Sequence, residues 1–281
     1  MFILYSITAK CDIIAVDFET VVLNRGDSIM KKVLLITIMI CTVCLLAACG
    51  GTSGDQENND QTEQAEQTEQ ETEMDTKQAK LLYMGHASIR ITTPEDKVIY
   101  IDPFVGDGYG PAADLILSTH SHYDHTDFDK VENRNPECEI ITWKEALEGG
   151  EHQNFDLGYV QVEAVEAGNN KNHDISQCVG YVITLSDGVK VYVSGDTSKT
   201  EQMASLADEN IDYAFFCCDG VYNMDREEAA ECAAPVKAKH NIPYHMVAAD
   251  TGVFFDRDVA EGFNADNLLV IADGEEIELE K

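Results

Sequence analysis

The chain has 281 residues, and 52 acidic against 19 basic side chains leave a formal net charge of −33 at neutral pH. A surface of that sign repels nucleic acid and anionic lipid except where a bound cation reverses the local field, so polyanion binding is excluded as the main role. With 44% hydrophobic residues the chain still holds enough apolar content for one substantial core.

Residues 1–29 carry Lys10 and Arg25 against Asp12, Asp17, Glu19 and Asp27, a poor beginning for an exported protein, and Met30 is the expected true start. Met30, Lys31 and Lys32 precede the sixteen apolar or small residues 33–48, the basic-then-apolar order of a signal peptide. The competing reading, a membrane-spanning anchor, needs roughly twenty residues. Leu46, Ala47, Ala48 and Cys49 resemble a bacterial lipoprotein cleavage box, which implies a lipidated Cys49 and a location outside the cytoplasmic membrane, anchored to it. Residues 49–79 are Gly, Ser, Thr, Gln, Asn, Asp and Glu with almost nothing apolar to bury, and are expected to form a disordered acidic tether that self-repulsion keeps extended. The remaining 80–281 make one domain, and residues 81–281 carry −26 of the net charge.

Within that domain short apolar runs at 98–101, 115–118, 139–142 and 159–165 predict strands. Runs at 180–186 and 189–194 flank Asp187-Gly188, a strong hairpin signal, and Asp273-Gly274 predicts a second hairpin between 268–272 and 276–279. Helices are expected at 144–147, 200–210 and 225–234, with a break or kink at Pro235. Many short strands interleaved with helices fit an α/β fold of two sheets packed face to face, helices outside. Cys138, Cys178, Cys217, Cys218 and Cys232 show no Cys-x-x-Cys spacing, and an odd number leaves at least one thiol free. Most are expected to be small core residues.

The strongest chemical signal is THSHYDHTD at 119–127, which packs His120, His122, Asp124 and His125 into six positions just after the apolar run 114–118. On an extended loop His120 and His122 point the same way by the period of two and can share one ion. Asp124 and His125 face elsewhere, which suits a second ion. Three of the chain's eight histidines in six positions is an improbable accident for a surface loop.

His-x-His-x-Asp-His after an apolar strand resembles the signature of the metallo-β-lactamase-fold hydrolases. Other segments match in order: YMGHAS at 83–88 and VIYIDPF at 98–104 resemble the opening strands of the branch that includes L-ascorbate-6-phosphate lactonase and the N-acyl-phosphatidylethanolamine phospholipases. Gly195-Asp196-Thr197 and the IPYH at 242–245 resemble that branch's later Gly-Asp-Thr and closing Pro-x-His. The resemblance covers roughly 81–281 and implies a four-layer αββα sandwich with one or two divalent ions, zinc first and manganese or iron as alternatives.

It also implies the rest of the ligand set. His173 stands where the family places its third histidine, although HDIS at 173–176 departs from the family's His-Pro-Lys-Gly and puts that loop's substrate contacts in doubt. Asp196, at a Gly-Asp turn, is the expected bridging carboxylate, and His245 completes the second site with Asp124 and His125. His240 competes with His245 but falls at a predicted helix end. His86 is either a neighbour of the site or a structural histidine, His152 reads as a surface residue, and Asp102 is expected to buttress the ligands through hydrogen bonds.

The chemistry so implied is hydrolysis by a metal-activated hydroxide, with Asp124 or Asp196 orienting the nucleophile, on a small-molecule or lipid-derived ester, lactone or phosphodiester. No Ser or Cys nucleophile motif and no Gly-rich phosphate loop is present. Two alternatives stand beside it: a lipid-anchored binding protein with a catalytically silent version of the fold, and di-iron redox chemistry. The redox branch typically carries an acid where His122 stands here.

Overall fold

The computed structural model describes residues 77–281. The upstream start, the leader at 30–48, Cys49 and most of the tether therefore lie outside the described residues. The end of the expected tether is corrected: Ala79 is buried and opens β1 (Ala79–Gly85), and Lys77 pairs with Asp96 at 2.6 Å, so the domain begins ahead of position 80. Ala79 simply extends the inward alternation of Leu81 and Tyr83.

After β1 come β2 (Ser88–Thr92), β3 (Val98–Ile101), β4 (Ala113–Leu117) and β5 (Arg134–Ile141). With β12 (Glu275–Leu279) they form a six-stranded sheet in the order β12-β1-β2-β3-β4-β5, three antiparallel pairings followed by two parallel ones. The second sheet holds β6 (Asn154–Asp156), β7 (Val160–Glu166), β8 (Val179–Leu185), β9 (Lys190–Val193), β10 (Tyr213–Cys217) and β11 (His240–Tyr244). Its order is β11-β10-β9-β8-β7-β6, and from β6 onward it repeats the same succession of antiparallel and parallel pairings.

The strand period of two divides the apolar residues between two faces. Ile99, Ile101, Leu115 and Leu117 join Val162, Tyr181, Val191 and Phe215 in one buried cluster drawn from both sheets, while Val98, Tyr100 and Ile116 form a smaller cluster on the outer face of the first. Outside the sheets lie α1 (Trp143–Ala146), α2 (Arg226–Val236) and α3 (Arg257–Gly262). The layers are those of the expected αββα sandwich. A reciprocal cap starts α1, with Thr142 Oγ1 accepting from Lys144 N and Glu145 Oε2 from Thr142 N. Asp225 caps α2 by accepting from Glu228 N at 2.8 Å, and the helix buries Ala229, Cys232, Ala233 and Val236.

Four expectations are corrected. Residues 268–272 form no strand, and β12 pairs instead with β1, Leu279 opposite Ala79. An isolated hairpin buries little, whereas the open edge of a sheet offers β12 a full ladder. Residues 200–210 hold a 3₁₀ helix, Gln202–Glu209, with no side chain capping its start; its buried Met203 and Leu206 match a three-residue turn. The segment at 225–234 runs through Pro235 and ends at left-handed Lys237, because a proline in the last turn forfeits a single intrahelical bond. His240 opens β11 rather than ending a helix.

The five cysteines of the described residues are free thiols, four buried and Cys138 half-buried. Among the described residues no helix is long and apolar enough to cross a membrane.

Candidate metal centre

Five strands end at one place. Asp102 follows β3, His120 to His125 follow β4, Asp196 follows β9, Asp219 follows β10 and His245 follows β11.

The loop after β4 is closed by Ser118, whose Oγ donates to the carbonyls of His120 and His125, both at 3.1 Å. Asp102 grips the same loop: its carboxylate accepts from Thr119 N at 2.8 Å and Thr119 Oγ1 at 2.7 Å, and His125 Nδ1 lies 2.8 Å from its Oδ2. That is the buttress expected of Asp102. A single 3₁₀ turn, Tyr123–His125, swings Asp124 and His125 away from His120 and His122.

Two donor groups result. In the first, His120 Nε2 and His173 Nε2 lie 3.0 and 3.2 Å from His122 Nδ1. Asn170 Oδ1 accepts from His173 N at 2.9 Å and sits 3.3 Å from the Nδ1 of the same ring. The second group gathers His86, Asp124, His125 and His245, with donor atoms all within 4.8 Å of one another. Asp196 stands between the groups. Its Oδ2 is 3.3 Å from His173 Nε2 and 3.4 Å from His245 Nε2, and its Oδ1 is 3.5 Å from His125 Nε2. All seven sequence-predicted ligands thus converge, whereas His152 and His240 join neither group.

Gly195 lets Asp196 reach this position. Its φ is +63°, and a Cβ there would meet Val179 O at 2.6 Å and Thr119 Cβ at 3.2 Å. Three other residues of the site are non-glycines in the left-handed region: His86 (φ 52°), Asp102 (φ 45°) and His245 (φ 46°). Each such conformation costs about 1–3 kcal/mol and persists where neighbours over-determine it. Here His245 N donates to His86 O at 2.9 Å, and the Tyr83 hydroxyl donates to the same carbonyl at 2.8 Å.

The sequence reading missed Asp219 and Asn223 and left His86 undecided. His86 Nε2 is 3.0 Å from Asp124 Oδ2. Asp219, its side chain fully buried, places Oδ2 3.2 Å from His245 Nδ1. Asn223 Nδ2 donates both to Asp219 at 2.7 Å and to Asp196 at 2.8 Å, tying the two carboxylates together. Like Asp102 and Asp196, Asp219 falls just past an apolar strand run, a position it shares with ordinary turn aspartates.

Burial and charge oppose each other at the site. Burial works against ionised Asp124 and Asp196, yet His86 and His125 around the first, and His245 and His125 around the second, hold both carboxyls well below their usual range. Burial lowers His120 and His173, and takes His86 down to about 4, so these imidazoles are neutral donors. His125 and His245 are pushed up against their burial, both chiefly by Asp196. The centre therefore holds ionised carboxylates with only imidazoles to balance them. His125 Nε2, His245 Nε2 and Asp196 Oδ1 are buried without a hydrogen-bond partner, and buried polar atoms left so are rare. Converging imidazole nitrogens and carboxylate oxygens fit a divalent metal ion.

Comparison with known proteins identifies a family and a fold. The family model for the beta-lactamase superfamily domain matches residues 80–245. A UPF0173 metal-dependent hydrolase of Thermococcus onnurineus is 31% identical over 209 residues, covering 62% of this chain and 90% of that protein. One from a Geobacillus species is 30% identical over 193 residues, covering 59% and 84%. A solved structure of a proposed metal-dependent hydrolase from Parabacteroides distasonis superposes with a TM-score of 0.55 at 28% identity, covering 67% of this chain and 90% of that one. A metallo hydrolase from Ignicoccus hospitalis shares the fold with a TM-score of 0.57 at 18% identity, covering 73% and 100%.

Proposed function

The chain belongs to the UPF0173 family of metal-dependent hydrolases, within the beta-lactamase superfamily, and on that premise we propose that it hydrolyses a small or lipid-derived ester, lactone or phosphodiester. The observation that carries the reading is Asp196, a buried carboxylate with an oxygen within 3.5 Å of histidines from both donor groups. His120, His122 and His173 would hold one ion, Asp124, His125 and His245 a second, with Asp196 reaching both. Bound there, a metal lowers the pKa of water toward neutrality and draws charge from the carbonyl or phosphoryl oxygen.

The chain's own groups prepare the rest. Asp102 accepts from His125 Nδ1 and so keeps Nε2 free as a ligand atom. Neutral His86 donates through Nε2 to Asp124 Oδ2 and steadies that carboxylate, whose other oxygen is left for an ion or a water. Asp196, tied by Asn223, is held to one position between the groups.

Zinc is the first expectation for an imidazole-rich set. The lipidated Cys49 and the tether would place this chemistry outside the cytoplasmic membrane. Purified protein should carry up to two equivalents of divalent metal, and His120→Ala with His122→Ala should empty one site and abolish hydrolysis. Two tightly held equivalents in that double variant would refute the ligand assignment. Intact-mass measurement of the membrane fraction should find a mature chain starting at a lipidated Cys49, and an unmodified Met1 terminus would refute the anchor.

A further inference from the structure

Seven large apolar side chains are exposed among the described residues, and five of them crowd the loops that carry the metal centre. Tyr123 follows His122, Ile175 lies two positions beyond His173, Val221 and Tyr222 stand between Asp219 and Asn223, and Val253 is on the segment after His245. Scattered single apolar residues need no explanation, but a grouped patch marks an interaction site.

One part of the patch runs without a break into the centre. Tyr123, 63% exposed, meets Phe104 edge-on at 5.6 Å, and Phe104 meets Phe254 at 5.9 Å. Both phenylalanines pack on the His86 ring, at 5.6 and 5.7 Å. The aromatic contacts therefore run unbroken from exposed Tyr123 to the buried imidazole that holds Asp124. Charge at the same mouth is one-sided. The ion-pair partners of Asp102, Asp124, Asp196 and Asp219 are all histidines, and among the described residues no lysine or arginine pairs with these four carboxylates. The four carboxylates would balance the charge of two divalent ions, so that exposed Lys171, on the loop that carries His173, is left as the nearby ammonium in sequence for an anionic substrate.

We propose that Tyr123, Phe104 and Phe254 form a subsite for the uncharged apolar part of the substrate, an acyl chain or aryl ring beside the scissile bond, so that neutral esters and lactones are favoured over phosphodiesters. The proposal rests on the hydrolase reading and narrows it. A membrane surface is the rival occupant. The substrate is preferred because the aromatic contacts lead to His86 inside the site, and a domain of this negative charge is repelled by anionic lipid.

The test uses the full chain, metal-replete, with 4-nitrophenyl acetate, 4-nitrophenyl hexanoate and bis(4-nitrophenyl) phosphate as probes. N-phenyl-1-naphthylamine, a neutral apolar dye, reads the subsite without catalysis. The expected kcat/KM is at least tenfold higher for hexanoate than for acetate and lowest for the phosphodiester. Tyr123→Ser with Phe254→Ser should collapse the hexanoate-to-acetate ratio toward one and remove part of the dye fluorescence, while Tyr123→Phe, which keeps the ring, should retain both. A ratio near one in the unaltered protein, or dye binding indifferent to the double variant, would overturn the proposal. So would variants that change only co-sedimentation with phosphatidylcholine vesicles. If no probe is hydrolysed yet dye binding still depends on Tyr123 and Phe254, the hydrolase reading fails and the subsite stands.

Discussion

Among the described residues His245 is the one histidine that pairs with Asp219, Nδ1 to Oδ2. The two lie 3.2 Å apart without a hydrogen bond between them, while Nε2 of the same ring lies 3.9 Å from Asp124 and 3.4 Å from Asp196, as a ligand atom turned to the centre would. Burial opposes the charge on Asp219, and His245 outweighs it, holding the carboxyl below its usual range. Loss of such a partner typically costs 10–100-fold in metal affinity. Asp219→Ala should therefore release one metal equivalent to a competing chelator about 10–100-fold more readily, with Asp219→Asn intermediate. Equal chelator midpoints in all three proteins would show that the contact is incidental. The clustered ligands were legible because His-x-His-x-Asp-His concentrates rare side chains within one loop. Asp219 was not, since a lone aspartate after a strand has the spacing of an ordinary turn until the fold brings His245 against it. His86 could not be resolved for the same reason, its partner Asp124 lying 38 positions away.

At the scale of elements, β4 is held at its start by Asp114, which accepts from Val98 N, Lys97 Nζ and Asn135 Nδ2, all at 2.9 Å, and so stitches β3 to β5. Burial works against its charge and these three bonds outweigh it, so the carboxyl lies below its usual value. A depressed carboxyl contributes stability that is present above the unfolded-state pKa of about 3.9 and lost as pH falls through the folded value. Asp114→Asn should cost about 1–3 kcal/mol at pH 7, and the gap should close below about pH 4. Urea unfolding of both proteins across pH 3–7 measures it, and a gap constant with pH would refute the assignment. Strands whose apolar residues are buried on both faces, such as β3 and β4, could be read as continuous apolar runs. The partner of β12 could not. Its sequence alternates charged and apolar residues for an edge position, and such a pattern says which face is buried but not which distant edge is free.

Across the whole molecule, the αββα sandwich was legible from the number and spacing of short strands, whereas the matching succession of pairings in the two sheets is not a sequence repeat and appears only in the topology. The same packing predicts thiol behaviour. Burial pushes Cys178 and Cys232 up to about 12 and raises Cys217 and Cys218 as well, while Cys138 alone is half-buried. Alkylation of native protein at pH 7.5, mapped by peptide mass, should label Cys138 first among these five, and the other four only after denaturant. Early labelling of Cys217 or Cys218 would mean that the second sheet opens readily. The pairing of β12 with β1 has a consequence in time. Wherever the chain folds as it emerges, from a ribosome or across a membrane, the first strand of the domain appears long before the strand that covers its outer edge, and until then that edge of β1 presents unpaired amides and carbonyls to neighbouring chains. A polypeptide stalled before residue 275 would own all seven predicted ligands and still lack its closing strand, so for this domain the interval between making those ligands and sealing the sheet is when chaperone protection matters most.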